Sequence, residues 1–158
     1  MLRRYKTRAK YGSGIAEFLP ALFVFLFVIA LPLINLLTFC MGYANVSMLG
    51  TQCAVDAANA NSFPDVLSKV KSRADSIVTS PMGRFAKMVP IGGYLGCGVN
   101  VFTVETDINT NAVVEYGPNT KITAAYDPTN KIYEYVIRTN FNIGPFMSLG
   151  AIPWIGGI

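Results

Sequence analysis

The chain has 158 residues, of which 52% are hydrophobic and only 14% charged, enough for one small domain beside a membrane segment and too apolar for a soluble domain of average make-up. Its formal net charge is +4, but Arg3, Arg4, Lys6, Arg8 and Lys10 all precede Gly12, and the eight basic residues that remain nearly cancel the nine acidic ones. The basicity therefore belongs to one N-terminal cluster, and nucleic-acid binding is rejected as its meaning.

Residues 1–12 read as a basic leader peptide. A basic cluster flanking an apolar span is the positive-inside signal, and it orients the N-terminus toward the cytoplasm. From Phe18 to Val55 no charged residue occurs. A helix of about 20 such residues spans about 30 Å of hydrocarbon, so residues 13–60 are expected to form a transmembrane and stem helix, either continuous or in two pieces joined near Gly42. Pro20 lies near its start, and Pro32 is interior and should kink or loosen it. A secretory signal peptide fits poorly, because its apolar region is only about 7–15 residues long. The cleavage-like Ala58-Asn59-Ala60 lies far beyond the span, and bulky Phe39 before Cys40 argues against a lipoprotein box. Glu17 opens the span, where a lone acid is costly unless it is partnered or stays wet. The small residues between Tyr43 and Ala60 suit close helix packing, on a neighbouring subunit or on the chain's own domain.

Residues 61–158 read as an α+β domain on the far side of the membrane. Ser62 and Asp65 can cap a helix whose apolar positions Val66, Leu67, Val70, Ala74, Ile77 and Val78 recur at helical spacing, ending near Ser80-Pro81. Gly92, Gly93, Gly96 and Gly98 mark a turning loop. Residues 97–108 then read as a strand. The run with Ile122, Ala124 and Tyr126 is expected to pair as a hairpin with a strand at 131–143, across the turn at Asp127-Pro128, in a small antiparallel sheet. In that second strand Tyr133, Tyr135, Ile137, Thr139, Phe141 and Ile143 alternate with Glu134, Arg138, Asn140 and Asn142. The tail from Gly144 to Ile158 carries no charge and is too broken by Gly and Pro to span a membrane. Such a tail docks on its own sheet, on a partner subunit or on the membrane surface.

Few residues carry recognisable chemistry. The chain has no His, which removes His-based acid–base work, catalytic triads and His-containing metal sites. No phosphate-binding glycine loop stands in a strand–turn–helix context. Asp107-Ile108-Asn109-Thr110-Asn111 opens like a calcium loop, but Ala112 stands where the pattern needs Gly and Pro118 where it needs Glu. The three cysteines lack zinc spacing. Cys40 reads as an apolar filler. Cys53 and Cys97 both fall outside the predicted cytoplasmic part, where disulfides persist, and a bridge between them would tie the stem to the start of the sheet. Geometry decides whether it forms. No cofactor is expected, and no enzymatic constellation stands out.

One short stretch is specific. Gly12-Ser13-Gly14-Ile15-Ala16-Glu17-Phe18, behind a basic leader and opening directly into an apolar run with Pro20, resembles the class III signal peptide of type IV pilin-like proteins. With the chain length it resembles TadE-like pseudopilins of the tight-adherence (Flp-type) pilus system. The likeness is specific over roughly residues 3–37, and it departs from the best-known pilin pattern in having Ser13, not Phe, after the cut. It implies cleavage by a prepilin peptidase between Gly12 and Ser13, and an assembly role for Glu17 and Phe18. It also implies partners: companion pseudopilins or pilins, an inner-membrane platform, a secretion ATPase and the lipid bilayer. The expected function is a structural or accessory subunit, in the bacterial inner membrane with its domain in the periplasm or carried into a pilus. The alternative is an unprocessed single-span protein with an external binding domain.

Overall fold

The computed structural model describes residues 13–123 and 125–148, with side chains described from Phe18 onward. It is an α+β fold in which a long apolar helix runs into a domain made of a second helix and two small antiparallel sheets.

The long helix has three consecutive parts: α1 (Ser13–Val24), a π-helical segment (Phe25–Ala30) and α2 (Leu31–Ala58). Pro20 lies inside α1 rather than in its first turn, because the helix starts further back than the apolar run suggests. Pro32 is accommodated by loosening. The Leu31 N–H reaches back to the Leu26 carbonyl, a wider turn than the α-helical one. That widened turn immediately precedes the proline whose ring would crowd the carbonyl four residues before it. Beyond it α2 continues through Gly42 without a break.

The amphipathic helix α3 (Phe63–Thr79) begins at Ser62, whose hydroxyl accepts the Asp65 N–H. The return bond goes one residue further back than a capping box predicts, from the Asn61 N–H to the Asp65 carboxylate at 3.1 Å. Its predicted apolar face is the buried one: Val66, Leu67, Val70, Ala74 and Ile77. Ser80 ends it and caps the short α4 (Pro81–Phe85) by accepting the Gly83 N–H at 3.1 Å.

The strands follow as β1 (Met88–Pro90), β2 (Val99–Asp107), β3 (Val113–Tyr116), β4 (Lys131–Thr139) and β5 (Phe141–Ile143). One sheet has the order β3-β2-β4 and the other pairs β1 with β5, all antiparallel. The expected strand at 131–143 is thus two strands that pair with different partners. At the break, the Asn140 N–H bonds to the Gly98 carbonyl at 2.7 Å and the Asn140 carbonyl accepts the Ile91 N–H at 2.9 Å. The loop between β1 and β2 enters there and divides the ladder. Gly98, at φ +76°, allows it, since a Cβ would stand 2.8 Å from the Phe141 ring.

The hairpin expected across Asp127-Pro128 does not form. β4 takes β2 as its partner instead, and residues 121–123 and 125–126 have no regular structure. Asn119 is the cause. Its side-chain oxygen accepts the Val101 N–H at 3.0 Å and its own N–H bonds to the Val101 carbonyl at 2.8 Å. The Val101 N–H and carbonyl are thereby taken up beyond the end of β3, and Tyr126 further on lies against Tyr133 of β4, ring centroids 4.8 Å apart.

The core lies between α2, α3 and the sheets. Leu49, Cys53 and Ala57 of α2 meet Val66, Val70 and Ala74 of α3 over Val99 and Val101 of β2.

Candidate functional site on the long helix

The buried residues of α2 are Thr38, Gly42, Asn45, Leu49, Cys53 and Ala57. Their spacing of three or four residues places them on one face of the helix. This stripe is where the domain sits. The rest of the circumference is open: Phe39, Tyr43, Met48 and Val55 are all at least half exposed. In the π-helical segment no residue is buried, and Phe18, Leu19, Phe23, Val28 and Leu33 face outward. The span Phe18–Ala58 is long and apolar enough to cross a membrane. One stripe of the helix is packed on its own domain, and a broad apolar face is left open.

Two close contacts fix the domain to the helix. At Gly42 an added Cβ would stand 2.6 Å from Ile143 at the end of β5, so glycine is what lets the strand end touch the helix backbone. About two turns lower, the Asn35 side chain makes a reciprocal clamp on the tail. Its Nδ2 donates to the Met147 carbonyl and its Oδ1 accepts the Met147 N–H, each at 3.1 Å. The tail is held from the other side by Lys87, whose Nζ donates to the Phe146 carbonyl at 3.0 Å, and by the Phe85 ring, 5.2 Å from that of Phe146. The described part of the tail therefore docks on α2 and α4. Sequence reasoning passed over Asn35, although an amide inside an uncharged apolar run was a visible signal.

Of the residues singled out in the sequence, Gly12 lies outside the described residues. Ser13 begins α1 and Glu17 lies within it. Phe18 is exposed. Cys53 and Cys97 are both buried in the same core but stand as free thiols, each with its sulfur directed at a backbone carbonyl, Val70 and Val99 respectively. Cys40 is an exposed free thiol on the long helix.

The calcium-like stretch is a hairpin turn. The Asp107 Oδ1 accepts the Asn109 and Thr110 N–H groups at 2.9 and 2.8 Å, and these bonds, the one to Thr110 foremost, hold its carboxyl below the usual range. Asp127 works the same way in the next turn, where the Asn130 side chain is the main cause of its lowered pKa. Among the described residues, no group of three His, Cys, Asp or Glu side chains is placed to hold a metal ion.

A cleft of about 620 Å³ is lined by Phe63, Thr103, Lys121, Tyr126, Tyr133 and Tyr135. The Thr103 hydroxyl is buried there without a hydrogen-bond partner among the described residues. Next to it on β2, Glu105 is 5% exposed and is neutralised by Lys131 at 2.5 Å.

No protein-family model, curated protein or solved structure matches this chain. The geometry is consistent with a pilin-like fold, a long N-terminal apolar helix followed by a small α+β domain.

Proposed function

We propose that this chain is a TadE-like pseudopilin, a structural or accessory subunit for assembly of a tight-adherence pilus or a related secretion machine. Its helix crosses the bacterial inner membrane once, with the N-terminus cytoplasmic and the domain periplasmic or carried into a pilus. A prepilin peptidase cuts after Gly12, and the partners are companion pseudopilins or pilins and the inner-membrane platform. The observation that carries the reading is the division of the long helix. Its own domain takes one stripe of α2, and the remaining apolar surface stays open for bilayer and neighbours alike.

Cleavage would leave a positive α-amino group on Ser13. In an assembly, Glu17 of one subunit pairs with the Ser13 amine of the next, cancelling two charges that hydrocarbon would otherwise penalise. A neighbour out of register leaves one charge alone, so the pair selects the axial stagger. Removing one partner of a buried ion pair costs about 3–5 kcal/mol, more than about a hundredfold in an association equilibrium. Glu17→Gln is therefore expected to insert in the membrane at normal level and to lose co-purification with its companion pseudopilins. Undiminished co-purification would contradict the role given to Glu17.

A second reading has one observation in its favour. An unprocessed single-span protein with an external binding domain would use the aromatic cleft. Retention of residues 1–12 in the mature protein distinguishes it.

A further inference from the structure

The level at which the domain grips the helix has a consequence for the bilayer. Glu17 is the last charge before the apolar run, and the next on the helix is Asp56. If hydrocarbon begins at Phe18, Asn35 lies about 26 Å along the axis at 1.5 Å per residue, inside a layer about 30 Å thick. Shifting the helix toward the periplasm would raise Asn35 only by drawing Glu17 into the hydrocarbon. Shifting it toward the cytoplasm, or tilting it, sinks Asn35 deeper. An amide at that depth needs partners of its own, and both of its hydrogen-bonding groups are met by the Met147 backbone. Segment 144–148 is consequently drawn down to the outer edge of the hydrocarbon.

What surrounds that segment fits the same place. Phe146 and Met147 are exposed, as is Met82 on α4. Arg84 lies in the last turn of α4. Lys87 lies beside the tail, bonded by one of its three N–H groups to the Phe146 carbonyl. Apolar side chains with long basic ones beside them match the boundary where acyl chains meet anionic headgroups, the basic stems lying along the apolar layer and their charges rising to the phosphates.

We infer that the membrane-proximal end of the domain, built from α4, Lys87 and segment 144–148, is seated in the outer headgroup layer of the bilayer, with Phe146 and Met147 below the phosphates and Arg84 and Lys87 among them. The inference rests on the long helix being the membrane anchor. The domain then does not stand off on a free stem. The lipid surface fixes its height and tilt, and leaving the membrane requires giving up this seat as well as the span.

The test uses the full chain in phosphatidylcholine vesicles with and without phosphatidylglycerol, in a Cys40→Ser background where Cys53 and Cys97 remain buried. Single cysteines for a small fluorophore are placed at Leu33 in the span, at Met82, and at Ile108 on the β2–β3 turn, all exposed positions. Nitroxide lipids labelled at the headgroup, high on the acyl chain or near its end report depth, and iodide reports water. The Leu33 probe should be quenched by the deep label and the Ile108 probe by iodide alone. The Met82 probe should be quenched several-fold more by the two shallow labels than the Ile108 probe, more so with phosphatidylglycerol, and Arg84→Glu should remove that extra part. A Met82 probe as open to iodide as the Ile108 probe, with the Leu33 probe still deep, would overturn the inference and leave the anchor intact. Loss of deep quenching at Leu33 would instead overturn the anchor itself. Shielding of Met82 from iodide without lipid quenching, growing with protein-to-lipid ratio, would assign the face to a second copy of the chain and also overturn it.

Discussion

Single residues decide how the helix and domain meet. Gly42 is the tightest point, since any side chain there enters the space of Ile143. Overpacking of this kind costs about 1–3 kcal/mol, so Gly42→Leu should lower stability by that amount, read as denaturant unfolding in detergent. An unchanged midpoint would mean that β5 does not rest on the helix. Leu49, wholly buried in the stripe on α2, should cost about 2–5 kcal/mol when cut to Ala, the usual range for leucine in a close-packed core. Much of this scale was legible. The α3 face and the turn at Asp127 follow from residue type and spacing. Asn35, Gly42 and Asn119 were not legible as contacts, because each acts on a residue far away in the chain, which local pattern does not encode.

At the scale of elements, the helices were easier to read than the sheet. A long apolar run and a 3.6-residue period are strong local signals, and both helices stand close to where they indicate. The strands depend on partners. The run around Ile122 alternates like a strand, yet β2 outcompetes it for β4, and Asn119 takes the Val101 backbone groups beyond β3. The continuous alternation from Tyr133 to Ile143 hides the break at Asn140, since alternation describes one strand and is blind to a loop entering between its two partners. β1 and β3, of three and four residues, are too short to carry a period. The turns that join β2, β3 and β4 give the domain a pH dependence of definite sign. Asp107 and Asp127 are both held below their ordinary pKa by hydrogen bonds to their ionised forms. A depressed folded-state pKa contributes stability that is present above the unfolded value, about 3.9. It is lost as pH falls through the folded value. The domain should therefore lose stability in acid below about pH 4, and Asp107→Asn with Asp127→Asn should flatten that loss. An equally steep acid limb in the double variant would place the titrating groups elsewhere.

The whole molecule is organised by a division along one helix. The first part is apolar on all described sides, the second carries a domain on one stripe, and the specific acid stands at residue 17 where the apolar run begins. The fold class was readable because the length of an apolar run and a helical period are both local signals. At the N-terminal end, Gly12, Ser13 and Glu17 are singled out by the sequence pattern alone. The open helix face emerges only once the domain has chosen its side. In the function proposed above, the chain becomes a subunit by losing its basic leader. Intact mass and N-terminal sequencing of the protein from its native membrane decide whether it does. A mature chain beginning at Ser13, with Gly12→Val blocking the cut, is the predicted result. A membrane-resident mature chain that still carries residues 1–12 would contradict it.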